Sequence, residues 1–383
     1  MQLRPTQAII DLNALKHNYN QVLKQLPKQS KAIAVVKADA YGHGAVPVAK
    51  TLVGCGVACF GVATVEEGIV LRQAGIDAQI LVLQGLLGMG ESAAKVMLEH
   101  QLTPVIHTVG TLELWNALVV SRQSSVVRKE LPVHLKIDTG MTRLGITPQA
   151  LPNFLETFKK CKHLKLEGVM THLAWRENEE YTAHQIGLFQ EMGELIQKTL
   201  GKIPVWHVAN SAAVMDGSPI EFEWAGEYWV RPGIMLYGIP PYPEYKTKAD
   251  LKPVMSLVSQ IALMKNVPAG TKISYNCTFT TKRPTRIGVV PIGYADGYPW
   301  SASGKAEVLV GGKRVSVLGR VTMDMIMIDL TDSPAEKVGS EIVLMGRQGG
   351  EEISADEIAG WTGSIPYEIV CGVSKRMPRV YKE

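Results

Sequence analysis

Cysteine is scarce in this 383-residue chain: Cys55, Cys59, Cys161, Cys277 and Cys371 are widely spread, and none form a CxxC pair. An odd, scattered set excludes a disulfide framework and a cysteine-based zinc or redox motif, and reads as reduced and mostly buried. Charge of one sign is not in excess either. The 40 basic and 36 acidic residues are dispersed rather than gathered into a stripe or tail, so the net +4 points to neither nucleic acid nor membrane. No stretch of about 20 apolar residues appears, and the N-terminal MQLRPTQAII reaches Asp11 before an apolar signal core develops. The expected setting is the cytoplasm and the expected partner a small molecule. No GxGxxG follows the first apolar run, which counts against a dinucleotide-binding sheet.

What is present is alternation. From about residue 30 to 240, short apolar runs alternate with helical-period segments, the pattern of βα units around a parallel sheet. Eight strands are predicted: Ala32 to Lys37, Phe60 to Thr64, Gln79 to Leu83, Thr103 to His107, Val133 to Asp138, Leu166 to His172, Val205 to Ala209 and Glu227 to Arg231. The clearest helix, His184 to Leu200, puts Leu188, Phe189, Met192, Leu195 and Ile196 on one face. Eight such repeats predict a closed (β/α)8 TIM-type barrel of the α/β class. After the proline cluster PPYPEY at 240–245 the pattern changes to short β runs, such as Ile287 to Val290 and Ile326 to Leu330, separated by glycine turns. The expectation is therefore a barrel domain over 1–243 and a mostly-β C-terminal domain over 244–383, with one helix near Ala355 to Trp361 capped by Ser354.

In a barrel of this kind function lies at the C-terminal ends of the strands. Lys37 ends the first predicted strand in VVKADAYGHG. By itself it fits a lysine reaching for solvent; it also fits a Schiff-base lysine, whose amine loses basicity when desolvated at a barrel mouth. Other strand ends carry KIDTGMTRLG (136–145), VMTHLA (169–174), HVANSAA (207–213) and VRPGIMLYG (230–238). Ser211 and the Gly233–Ile234 pair stand in the loops after strands seven and eight, where barrels commonly bind phosphate. Singly, Ser211 is as good a helix cap, His172 a buried histidine, and Arg143 and Arg231 surface ion-pair partners. Their recurrence at strand ends points to a phosphorylated ligand.

The segments VVKADAYGHG, KIDTGMTRLG, MTHLA, HVANSAA, RPGIMLYG, SYNCTFTT, GYADGYPW and GRVTMDMIMIDL occur in the order seen in alanine racemases, and the chain resembles that family over nearly its whole length. The resemblance implies a fold type III enzyme dependent on pyridoxal 5'-phosphate, working as a homodimer with shared active sites and supplying D-alanine for peptidoglycan. It implies that Lys37 binds the cofactor covalently, with Tyr41, Leu83, Asn210, Ser211, Gly233, Ile234 and Tyr367 around it, the phosphate being held by Tyr41, Ser211, Gly233, Ile234 and Tyr367. It places Arg231 at the pyridine nitrogen, backed by His172. Arg143 falls near the substrate carboxylate, and Lys136 at a position carbamylated in many members. Tyr275 and Met323 are implied to come from the second subunit, Tyr275 as the acid/base opposite Lys37 and Met323 through its backbone N–H. Thr322, Lys375, Trp175 and Arg176 depart from the residues usual in the family, all around the implied outer channel.

The residue types suit the chemistry. Racemisation needs an acid/base on each face of Cα. Tyrosine, with a pKa of about 10, needs cationic or hydrogen-bonding neighbours to serve as one near neutrality. An always-protonated arginine at the pyridine nitrogen weakens the electron sink, which disfavours transamination and decarboxylation. A serine or broader-specificity racemase, a fold type III decarboxylase and a non-catalytic cofactor carrier are the competing readings. A decarboxylase is expected to place a carboxylate where Arg231 stands, and a carrier has no use for the region holding Tyr275.

Overall fold

The computed structural model of the protein describes residues 4–26, 30–122, 130–217, 222 and 226–383. Its first strand, β1 (Gln7–Asp11), ends on Asp11, whose Oδ1 accepts from Ala14 N at 2.8 Å and caps the helix Leu12–Gln25. Eight parallel strands follow and close on themselves: β2 (Lys31–Val35), β3 (Cys59–Val62), β4 (Gln79–Val82), β5 (Thr103–Ile106), β6 (Leu131–Lys136), β7 (Leu164–Met170), β8 (Val205–His207) and β9 (Glu227–Val230). Closure is made where β9 pairs with β2, Lys31 opposite Trp229 and Ala32 opposite Val230. Every predicted strand is present, in the predicted order. Helices cross between successive strands and cover the outside, as the right-handed βαβ connection requires.

Two details differ from the sequence reading. The helix Glu179–Leu200 starts five residues earlier than predicted, capped by Asn178, and its buried face adds Thr182, Gln185 and Gly193 to the expected Phe189 and Ile196, with Met192 and Leu195 partly buried beside them. Gln185 tolerates burial because it is hydrogen-bonded, its amide nitrogen to His172 O and Thr139 Oγ1 and its oxygen to Ala174 N. Lys37 does not end a strand: β2 stops at Val35, and the lysine opens a turn of a different kind, described below.

After the barrel the chain is mostly β. In the largest sheet, β10 (Met255–Gln260) runs antiparallel both to β1 and to the strand Glu341–Gln348, while β1 also pairs in parallel with Arg379–Lys382. The strand preceding the barrel is thus hydrogen-bonded between the first strand after the barrel and the chain's C-terminal strand. A three-stranded sheet (Leu263–Val267, Thr285–Val290, Ile326–Asp329) and a two-stranded ribbon (Lys272–Ile273, Phe279–Thr280) complete this region. The helix Ala355–Thr362 is capped by Ser354 as expected, Ser354 Oγ accepting from Glu357 N at 3.1 Å. One continuous apolar core runs from Ala8 to Met377 and joins barrel and β region. No helix of the described residues is long and apolar enough to cross a membrane.

Candidate active site

Lys37 leads directly into an unusual piece of backbone. Ala38, Asp39, Ala40 and Tyr41 all have φ of 53–54°, so four consecutive non-glycine residues form a left-handed turn that ends at Gly42. Such a conformation costs about 1–2 kcal/mol per residue and persists only where its surroundings impose it. Glu67 is one such restraint: its Oε1 accepts from Ala38 N at 2.7 Å, while its Oε2 accepts from Ala63 N at 2.7 Å and Thr64 N at 3.3 Å. Asp39 Oδ1 accepts from Ala45 N at 2.7 Å, and Gly42 presses on the helix Pro366–Cys371, where a Cβ would lie 2.2 Å from Val370 O. The turn points Lys37 and Tyr41 into the same cavity, at the C-terminal end of the barrel.

That cavity has a volume of about 460 Å³, ample for a cofactor with a small substrate. At one end Ser211 Oγ accepts from Gly233 N at 2.9 Å, and Asn210 caps the short helix Ser211–Met215. Gly233 is required there, because a Cβ would meet the Tyr41 hydroxyl at 2.5 Å. The Tyr41 ring lies between Tyr237 and Tyr367, at centroid distances of 4.9 and 6.2 Å, and the Tyr237 hydroxyl donates to Val35 O at 2.9 Å. Burial pushes the Tyr41 and Tyr367 hydroxyls well above their ordinary pKa, so both remain neutral donors.

The floor is cationic. Arg231, only 5% exposed, donates through Nη2 to Thr171 O at 2.7 Å and Val208 O at 3.0 Å, and through Nη1 to His207 O. Its Nη2 lies 3.4 Å from His172 Nδ1. Burial lowers the guanidinium to about 10, which still leaves it charged near neutrality. Burial, then Arg231, pushes His172 well below its usual range and keeps it neutral. Lys136 is 4% exposed, and burial reinforced by Arg231 and Arg143 lowers its amine to about 8. Lys37 is lowered chiefly by burial and next by Arg143. Arg143 comes back over the mouth because Asp138 Oδ1 pins the intervening loop through Gly140 N and Thr142 N, at 3.0 and 2.9 Å. Among the described residues, five basic ones (Lys37, Lys136, Arg143, Arg176 and Arg231) and no carboxylate line the cavity.

Lys37, Tyr41, Leu83, Lys136, Arg143, His172, Asn210, Ser211, Arg231, Gly233, Ile234 and Tyr367 therefore share one cavity wall. Tyr275 and Met323 do not line it. Tyr275 stands 71% exposed in a 3₁₀ turn at the tip of the two-stranded ribbon, rather than within a strand, and Met323 is 52% exposed. Reading the sequence also missed several neighbours. Glu67 looks like an ordinary capping-box glutamate after Thr64, and it is one; its reach to Ala38 depends on the fold. Tyr242 joins the wall from the proline cluster that reads only as a domain boundary, and Cys371 from a segment with no distinguishing pattern.

Family models of the alanine racemase N-terminal domain and C-terminal domain match residues 10–241 and 254–381. The chain belongs to the alanine racemase family. It is 44% identical to the alanine racemase of Halothermothrix orenii, over 99% of this chain and 97% of that one, and 41% identical to that of Symbiobacterium thermophilum over the same shares. Among solved structures, alanine racemase of Clostridium difficile 630 superposes with a TM-score of 0.89 at 36% identity, covering 100% of this chain and 97% of that one. Alanine racemase from Bacillus anthracis with bound L-Ala-P gives 0.88 at 36% identity, with 100% and 96% covered.

Proposed function

We propose that this protein interconverts L- and D-alanine with pyridoxal 5'-phosphate as cofactor, supplying D-alanine for peptidoglycan. The observation that carries the reading is a cavity holding a half-buried lysine of lowered basicity, one of five basic side chains in a lining with no acidic one among the described residues. Such a donor set fits a dianionic phosphate ester carrying an aldehyde: Tyr41, Ser211, Gly233, Ile234 and Tyr367 would hold the phosphate, and Lys37 would join the aldehyde. Leu83 and Asn210 would flank the ring, and Arg231, oriented by carbonyls and by His172, would face its nitrogen.

When bound, pyridoxal 5'-phosphate supplies the electron sink that makes the substrate Cα proton labile. Lys37, with its lowered basicity, takes or returns that proton on one face. Tyr275 is too exposed to act within its own subunit's cavity, and we assign it, with the Met323 backbone N–H, to the site of a second copy in a homodimer. Arg143 at the mouth orients the substrate carboxylate. The five free thiols suit a reducing cytoplasm. In this arrangement residues 1–243 supply most of the cofactor site, and 244–383 add Tyr367 to it and lend the second base.

The test is incubation of the purified protein with L-alanine in deuterated water. D-alanine should appear with deuterium at Cα. Release of carbon dioxide without D-alanine, or no exchange at all, overturns the reading.

A further inference from the structure

Two buried histidines beneath the site take no part in the chemistry above. His207 and His134 are fully buried in the barrel interior, with His207 Nε2 2.9 Å from His134 Nδ1. Arg231 Nη1 lies 3.2 Å from His207 Nδ1, and His134 Nε2 lies 3.4 Å from Glu167 Oε2. The same Glu167 oxygen accepts from Gln79 Nε2.

Protonation along this line is determined by its two ends. Guanidinium has donors only, so His207 Nδ1 must accept. A neutral imidazole carries one N–H, which places the proton of His207 on Nε2, where it donates to His134 Nδ1. The proton of His134 is then on Nε2 and faces the carboxylate. Burial and the Arg231 charge hold His207 neutral, and the His134 hydrogen bond holds Glu167 below the usual carboxylate range. Room for the line is built in: a Cβ at Gly168 would lie 2.3 Å from His134 Nδ1.

Arg231's other partners are backbone carbonyls and the neutral His172, and among the described residues no carboxylate lines the cavity it faces. A buried guanidinium without a counter-charge is costly. We propose that Glu167 is the remote counter-charge of Arg231, acting through His134 and His207, and that these three are positioning residues fixing the guanidinium's orientation and the charge it presents to the cavity. The hydrogen-bond order stands on geometry alone; its consequence for turnover rests on the racemase reading.

The experiment is NMR of the full-length holoprotein labelled at its histidine and arginine side-chain nitrogens. Both His207 and His134 should show a bare Nδ1 and a protonated Nε2. In Glu167→Gln, the His134 Nε2–H signal should shift, with smaller shifts at His207 Nε2–H and the Arg231 guanidinium. That variant should also lose about tenfold in kcat while KM for alanine stays within about twofold. An Nδ1-protonated form at either histidine in the unsubstituted protein, which needs no variant to fold, overturns the relay. So does a Glu167→Gln response confined to His134. The nitrogen signals are read without substrate, so this result and the D-alanine test fail independently.

Discussion

Lys136 shows how strongly the cavity's field acts on one side chain. Its unfolded-state pKa is about 10.4, whereas in the fold burial, Arg231 and Arg143 bring it down to about 8 and only Asp138 opposes them. The unfolded chain therefore binds this proton where the folded chain has released it, so between these two values stability rises with pH. The neutral amine is also the form that reacts with carbon dioxide, and the carbamate formed would put a negative charge among Arg143, Arg231 and Lys37. With isotopically labelled bicarbonate, a carbamate carbonyl signal should appear and grow as pH rises through about 8. Lys136→Ala should abolish it. A signal that survives the substitution, or none above that pH, removes Lys136 from this role.

At the scale of elements, the left-handed turn after β2 is the part most dependent on its neighbours. Glu67 anchors it through Ala38 N and anchors its own helix through Ala63 N and Thr64 N. Removing a charged acceptor from three backbone donors should cost about 2–3 kcal/mol. Glu67→Ala is thus expected to lower the denaturant midpoint at an unchanged m-value and to speed hydrogen exchange at the Ala38 amide. An unaltered Ala38 amide would show that the turn stands without Glu67. This element also marks the limit of what the sequence tells. The eight barrel strands were legible because apolar runs of parallel strands are continuous and bounded by helical-period segments. The strand-end polar residues from Lys136 to Arg231 were legible for the same reason, since a run that ends on a charge marks a mouth. By contrast, little in Ala-Asp-Ala-Tyr favours four successive positive φ angles; Asp39 holds the turn from within through Ala45 N, and Glu67 and the helix Pro366–Cys371 impose it from outside. The pairing of β1 between β10 and Arg379–Lys382 was equally hidden, because its partners lie more than 240 residues away. His207 and His134 read as strand residues, and only barrel closure brings their rings together.

Lys37 and Tyr275 stand apart in this subunit, the lysine in the cavity at the barrel mouth and the tyrosine exposed elsewhere. Tyr275 sits in a turn whose neighbours Ser274, Asn276 and Cys277 have φ of 64, 57 and 51°, with Ser274 Oγ donating to Arg320 O at 2.8 Å. A strained, fixed turn that exposes an aromatic ring suits presentation to another surface. Because Tyr275 is 71% exposed, Tyr275→Ala should change stability by only about 0.5 kcal/mol or less. Lys37→Ala should leave Tyr275 in place while removing the cofactor attachment. Each variant alone is then expected to be inactive in racemisation. If the tyrosine serves a neighbouring subunit, a dimer of one chain of each kind has one site with both substitutions and one with neither. Random reassociation makes about half the dimers mixed, so about a quarter of unsubstituted activity should return. The measurement is D-alanine formation after the two inactive proteins are unfolded and refolded together, with mixed dimers verified by differently sized tags. Activity in the Tyr275→Ala protein alone would remove Tyr275 from catalysis. Silence in a verified mixed dimer would place Lys37 and Tyr275 in the same subunit's site, against the exposure seen here.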